Sequence, residues 1–126
     1  MDLVRAEITL SNASDNLVAP IKVKCLVDTG STYLCIPEHI FIQLKLKTLE
    51  EREVTSANGH EEMMRYAGPV QVNFQNRNCF VGTLVTGDEV LLGAVPMEDM
   101  DLIVHPKLLK LSVNTDNPNI AHGMLK

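Results

Sequence analysis

The chain has 126 residues, a formal net charge of −5, an apolar fraction of 45% and an aromatic fraction of 4% without tryptophan. This length fits one compact domain that buries a mostly aliphatic core without the help of disulfides or metals. The acidic balance argues against nucleic acid as a partner, because phosphate binding needs clustered lysines and arginines, and no apolar run is long enough to span a bilayer.

The cysteines and the first residues bear on the cellular compartment. Cys25, Cys35 and Cys79 are odd in number and include no CxxC pair, so a disulfide framework is not expected. The first ten residues lack the basic and apolar pattern of a secretory signal. We therefore expect a soluble cytoplasmic protein in which each cysteine is a small buried residue.

The first part of the chain predicts two strands and a short helix. Residues 6–12 alternate apolar and polar side chains, and residues 19–27 do the same until Leu26 and Val27. Two adjacent apolar residues at the end of a strand indicate burial on both faces. The stretch 37–46 opens with a proline and a glutamate and predicts a short helix or an irregular turn.

The middle of the chain predicts hairpins. Asn58-Gly59 favours a tight turn with positive φ at both residues, between arms at 52–57 and 60–67. The apolar patterns of 69–74 and 79–87 then predict two strands joined by a turn at 75–78.

The last part predicts a strand that ends at Gly93, a short helix around 97–101, and strands at 102–104 and 108–113. Many short strands with frequent turns favour an all-β barrel over alternating strands and helices. We expect a single domain over 1–126, with a core of about 5–113 and an irregular C-terminal extension over 114–126.

Three motifs, in a fixed order along the chain, are the candidates for the chemical function. "LVDTGS" at 26–31 sets a carboxylate directly after an apolar strand, the predicted hairpin "VTSANGHEE" follows at 54–62, and "LLG" stands at 91–93. In this order and spacing, over about residues 7–113, the chain resembles the retropepsin-like aspartic proteases, and most closely their small single-domain bacterial members. The resemblance implies an all-β, closed, single-lobe acid-protease barrel with a flap hairpin and one or two short helices.

The resemblance also implies a role for each motif residue. Asp28 would be the catalytic acid or base, Thr29 would interlock with its copy in a second subunit, and Ser31 would hydrogen-bond the carboxylate. Gly30 would permit the tight loop. The resemblance further implies a mobile flap over bound peptide, formed by Ala57, Asn58, Gly59 and His60. It also implies a segment that crosses beneath the catalytic loop, formed by Leu91, Leu92 and Gly93.

The chemistry of two carboxylates sets a requirement on subunit number. Hydrolysis by such a pair needs one acid ionised and one protonated, which happens when the two lie about 3 Å apart. The sequence has a single Asp-Thr-Gly, so one chain supplies half of a site. The expectation is a two-fold homodimer that cleaves peptide or protein substrates, with no cofactor.

Other readings of the same residues stay open. A non-catalytic dimeric module that binds extended peptides in the same cleft would carry the same motifs, as would a structural barrel with a coincidental Asp-Thr-Gly. "HEEMM" at 60–64 lacks the second histidine of a zinc motif, so no metal is expected.

Two features differ from the retroviral pattern. Ala94-Val95-Pro96 follow Gly93, where retroviral relatives often carry an arginine or a polar residue that ties the dimer together. The chain also continues from Asn114 past its last predicted strand, where retroviral chains end and interlace with their partners. The way a dimer sheet would form is therefore open.

Overall fold

The computed structural model describes residues 3–125. This part of the chain forms nine strands, two short helices and one 3-10 turn. The bounds are β1 Arg5–Asn12, β2 Ile21–Val27, β3 Leu34–Ile36, α1 Glu38–Gln43, β4 Lys47–Thr55, β5 Glu61–Phe74, β6 Arg77–Val85, β7 Leu91–Leu92, α2 Ala94–Asp99, β8 Leu102–His105, the 3-10 turn Pro106–Leu108 and β9 Lys110–Val113.

Six of the strands close into a barrel. Their hydrogen-bonded order is β1-β2-β7-β3-β6-β5, and β5 pairs back onto β1 through a ladder that includes Leu10 and Val72. Closure removes the open edges that an open sheet of this size would leave exposed. The predicted all-β barrel with one or two short helices is confirmed at this level.

The barrel encloses an aliphatic core. Strand β1 alternates buried and exposed side chains, as its sequence pattern predicts, and sends Ala6, Ile8 and Leu10 inward. The side chains that are almost fully buried are nearly all aliphatic, including Ile8, Leu10, Leu34, Ile36, Leu44, Val70, Val72, Leu92 and Met100. With few aromatic side chains available, the core is therefore filled by closely packed aliphatic side chains.

Strand β5 is longer than the sequence predicted. One continuous strand over 61–74 replaces the expected hairpin arm and separate strand. Its first half pairs with β4 in a hairpin outside the barrel, and its second half joins the barrel. Pro69 lies within it because the register with β6 shifts between Ala67 and Val70, and an irregular position needs no ladder hydrogen bond from proline.

The helices lie close to their predicted places with shifted ends. Helix α1 begins at Glu38, with Pro37 as its extended N-cap rather than its first helical residue. Helix α2 begins directly after Gly93 and ends at Asp99, so the prediction of 97–101 was three residues late at its start. Among the described residues, no helix is long and apolar enough to cross a membrane.

The C-terminal extension folds back onto its own chain. Asp101 holds it at three points, accepting hydrogen bonds from the Asn114 side chain at 3.1 Å, the Asn117 side chain at 2.9 Å and the His122 N–H at 3.1 Å. These bonds, the one from Asn114 first, lower the pKa of the Asp101 carboxyl. The buried Arg77 guanidinium adds a bond to the Asn117 carbonyl.

We predict a large difference between two leucine truncations. Leu10→Ala removes a side chain that is 0% exposed in the barrel core and should lower the free energy of unfolding by about 2–5 kcal/mol. The matched control Leu17→Ala changes a side chain that is 92% exposed and should stay within about 0.5 kcal/mol of wild type. Urea unfolding followed by circular dichroism measures both, and equal losses would contradict the barrel core.

Candidate active site

Asp28 lies where β2 leaves the barrel. Its N–H donates a 3.0 Å hydrogen bond to the carbonyl of Leu92, so the loop is joined to the neighbouring strand at its first residue. The side chain is half-buried, and Thr29 and Gly30 beside it are exposed. Leu26 and Val27 before it are half-buried, so the expected burial of the strand end on both faces is not seen; the bond to Leu92 fixes the backbone while the carboxylate stays accessible.

The loop orients both carboxylate oxygens of Asp28. The Gly30 N–H donates to Oδ1 at 2.9 Å, and the Ser31 hydroxyl donates to Oδ2 at 3.1 Å. The Ser31 N–H also donates to the Asp28 carbonyl at 3.2 Å. Hydrogen bonds to both oxygens fix the rotation of the carboxylate, so this acid is held in one orientation at the mouth of the cleft.

Strand β7 runs between the two ends of the loop over 28–33, the catalytic loop that the sequence resemblance implies. It pairs in parallel with β2, Leu26 opposite Leu91 and Val27 opposite Leu92, and antiparallel with β3, Cys35 opposite Leu91. The loop over 28–33 therefore starts and ends on the two neighbours of one short strand. This arrangement is what makes the loop rigid.

Gly93 passes directly beneath the loop. A Cβ at this position would lie 2.4 Å from the Tyr33 carbonyl oxygen and 2.7 Å from that of Ser31, closer than real contacts of this kind. The next two residues hydrogen-bond the loop, with Ala94 N–H donating to Ser31 O at 2.7 Å and Val95 N–H donating to Thr32 O at 2.9 Å. Only glycine lets the two backbones approach this closely.

A cleft of about 730 Å³ opens beside Asp28. Its walls come from the catalytic loop, from the β4 arm of the hairpin and from the barrel strands behind them. The lining consists of Asp28, Gly30, Ser31, Thr32, Tyr33, Cys35, Glu53, Val54, Thr55, Ser56, Ala57, Met64, Leu84 and Thr86.

The structure places only some of the predicted flap residues in the wall of the cleft. Of the four flap residues, Ala57 lines the cleft, and Asn58, Gly59 and His60 at the tip do not. The wall is formed by the arm instead, over 53–57. The sequence predicted this arm as part of the hairpin but did not place it, or the residues behind it, in the cleft wall, because strand alternation tells which side chains share a face but not which strand lies opposite the loop.

The hairpin tip differs from the predicted turn. Gly59 has φ +82°, but Asn58 keeps a negative φ, so the expectation of positive φ at both residues was wrong. The Gly59 N–H donates to Ser56 O at 2.9 Å, and the Ser56 N–H donates to His60 O at 2.8 Å. These bonds describe a three-residue loop that ends in a left-handed glycine, the second common way of closing a hairpin.

An arginine between two tyrosines joins the hairpin to the catalytic loop. The guanidinium carbon of Arg52 lies 3.8 Å from the Tyr66 ring centroid, and its Nη1 donates to the Tyr33 hydroxyl at 3.3 Å. The two rings meet edge to face at 5.9 Å. Gly82 leaves the space that the Tyr66 ring occupies. No sequence signal singled out this cluster, since its members come from three distant segments.

Cys35 lines the cleft as a protonated thiol. Burial, and secondly the Asp28 carboxylate, raise the pKa of Cys35 to about 11. A nucleophilic cysteine needs the opposite shift, because the thiolate is the reactive form. Among the described residues, no group of histidine, cysteine and acidic side chains is arranged to hold a metal ion.

A second groove of about 590 Å³ lies on the other side of the loop. Asp28 and Thr29 line it together with the preceding Leu26 and Val27 and with residues of two other segments, namely Leu3, Val4, Val104, Pro106, Lys107 and Leu109. Asp28 therefore stands between a peptide-sized cleft and an apolar surface.

A scan against protein-family models and a search of curated proteins find no match for this chain. Its function is inferred from the geometry of the site.

We predict that Gly93→Ala is strongly destabilising. The added methyl group meets backbone carbonyls rather than movable side chains, so the loop or β7 must shift, at a cost of roughly 1–3 kcal/mol. Gly123→Ala is the matched control, because nothing lies within 4 Å of a Cβ there. Urea midpoints compare the two variants, and a Gly93→Ala protein as stable as wild type would refute the close crossing.

We predict that Asp28 slows alkylation of Cys35. With a thiol pKa of about 11, Cys35 should react slowly with iodoacetamide near neutral pH and faster as the pH rises toward that value. Asp28→Asn removes the negative charge, lowers the pKa and speeds alkylation, while burial keeps the pKa above its ordinary value. Mass spectrometry of the modified peptide gives the rate at each pH. An unchanged rate in Asp28→Asn would show that the two groups do not interact.

Proposed function

We propose that this chain is a retropepsin-like aspartic endopeptidase that acts as a homodimer. One observation carries the proposal: the Asp28 carboxylate is held through both oxygens, on a loop crossed by Leu92 and Gly93, at the mouth of a peptide-sized cleft. A surface turn with an incidental aspartate needs none of these three features. The order of the sequence motifs supports the same conclusion.

The second carboxylate comes from a second copy of the chain. The one other acid in the lining of the cleft, among the described residues, is Glu53, on the hairpin arm and outside any such loop. A two-fold axis next to Asp28 would bring two identical carboxylates together. Thr29 is exposed beside Asp28 and would lie in the contact between the loops.

The reaction follows from the shared proton of the pair. Two carboxyl groups about 3 Å apart hold one proton between them. The ionised Asp28 removes a proton from a bound water, whose oxygen attacks the peptide carbonyl, and the protonated Asp28 donates its proton to the carbonyl oxygen. When the tetrahedral diol collapses, the Asp28 that took the proton from water gives it to the leaving nitrogen, and the other Asp28 takes a proton from a diol hydroxyl. The C–N bond breaks, and the pair again holds one proton.

The walls of the cleft suit an extended peptide. The end of strand β4 and the two residues after it line the cleft over 53–57, so a substrate strand lying along this stretch would present its backbone and send alternate side chains to either side. Val54, Met64 and Leu84 offer apolar contacts. The hairpin above the catalytic loop would exclude water from the reacting groups.

Asp28→Asn tests the proposed catalytic role. The substitution keeps the size of the side chain and removes its acid–base chemistry, so hydrolysis of a fluorogenic peptide library should fall by about 10²–10⁴-fold or more. Asp88→Asn is the matched control, because Asp88 is an exposed acid in the turn after β6 and outside the cleft. Circular dichroism establishes that both variants are folded.

The rates should be measured from about pH 4 to 7, where such a pair holds one proton. A folded Asp28→Asn variant that cleaves as fast as wild type would refute the mechanism. Peptide binding by wild type without any turnover would instead support the non-catalytic peptide-binding module.

A further inference from the structure

Strands β8 and β9 form a small sheet of their own. Leu102 pairs with Val113 and His105 with Lys110, and this two-stranded sheet makes no strand pairing with the barrel. Within the described residues, the outer edge of each strand has no hydrogen-bonded neighbour. A lone two-stranded sheet is marginally stable, and an unpaired edge is a template for another strand.

The two strands of the small sheet line different grooves. Val104 of β8 lines the second groove with Asp28 and Thr29. Lys110 and Leu111 of β9 instead line a groove with residues of β1. Strand β8 is therefore the strand of the small sheet that contributes to the groove beside the catalytic loop, and all four β8 residues are half-buried rather than solvated.

Apolar side chains are exposed around this edge. Leu3 and Leu109, both in the wall of the second groove, are 57% and 43% exposed, and Leu108 in the turn between β8 and β9 is 72% exposed. Leu109 also has φ +52°, a conformation that leucine rarely adopts. This exposed apolar surface continues into the second groove, where Asp28 is the single carboxylate in the lining. Such an exposed apolar surface indicates a protein partner.

The C-terminal extension is not free to supply the missing strand. Its residues 114–122 are bonded to Asp101, and Asn76 and Arg77 donate to the carbonyls of Pro118 and Asn117. Interlacing of terminal strands between subunits would require these bonds to break. The edge must be covered in another way.

We propose that β8 pairs antiparallel with β8 of a second copy, joining the two small sheets into one sheet in the order β9-β8-β8-β9. An antiparallel pair of identical strands is self-complementary about a two-fold axis, so the same surface serves both chains. The choice of a second copy rests on the proposed function, because this pairing sets the axis beside the catalytic loop, where the two Asp28 carboxylates have to meet.

Cysteine cross-linking tests the pairing directly. Ile103→Cys and Val104→Cys are introduced separately into the full chain, because their side chains alternate between the two faces of the strand. Near a two-fold axis, opposed Cβ atoms are about 4.5–5.5 Å apart, close to disulfide distance. At least one variant should give a covalent dimer on mild oxidation. Phe80→Cys, at an exposed position of β6, is the matched control and should remain monomeric on a non-reducing gel.

A charge substitution tests the same surface without new thiols. Leu109→Glu should weaken self-association by about tenfold or more in sedimentation equilibrium, because a carboxylate would be buried in the apolar contact. Leu17→Glu, in the loop between β1 and β2, should leave it unchanged. Thermal unfolding at low concentration establishes that both variants are folded.

The outcomes separate this proposal from the proposed function. A strictly monomeric wild type, or a dimer that neither β8 cysteine traps and Leu109→Glu does not weaken, overturns the pairing even if peptides are cleaved. Cross-linking through β8 together with weakening by Leu109→Glu supports it even if no peptide is cleaved, since neither measurement depends on catalysis.

Discussion

The structure depends on the passage of β7 between the two ends of the catalytic loop. Leu91 and Leu92 pair with β2 on one side, Leu91 pairs with β3 on the other, and Gly93 then runs under the loop within contact of its carbonyls. Without this crossing, β2 and β3 would have no common neighbour, the barrel would open, and Asp28 would lie on a flexible turn. Barrel closure and the rigidity of the proposed active site therefore have one cause.

The rigid loop holds the Asp28 carboxylate in a fixed orientation. Its backbone is bonded to Leu92, and its two oxygens accept from Gly30 and Ser31, so its orientation is set before any substrate binds. Groups held in place in advance need no reorganisation during reaction. The contact of Arg52 with Tyr33 and Tyr66 extends the same stiffness to the base of the hairpin, so the wall opposite Asp28 is positioned as well.

The surface around the loop divides into two parts with different chemistry. One side is a cleft with a mixed polar and apolar lining that suits a peptide strand. The other side is an apolar groove that runs on to the open edge of β8. Under the proposed function, Asp28 requires a second carboxylate, and an apolar surface with an unpaired strand lies next to it. Self-association is consistent with both features.

The sequence by itself determined the elements whose signals are local. Alternation along β1 and β2, the apolar pair before Asp28, the glycine of the hairpin and the position of "LLG" all depend on neighbours in the chain, so they are visible without coordinates. Only the tertiary structure decided which segments meet. The hairpin arm rather than its tip lines the cleft, β5 is one strand through Pro69, and the extension is bonded to Asp101. The physical reason is that these features depend on contacts between residues far apart in sequence, which local patterns do not encode.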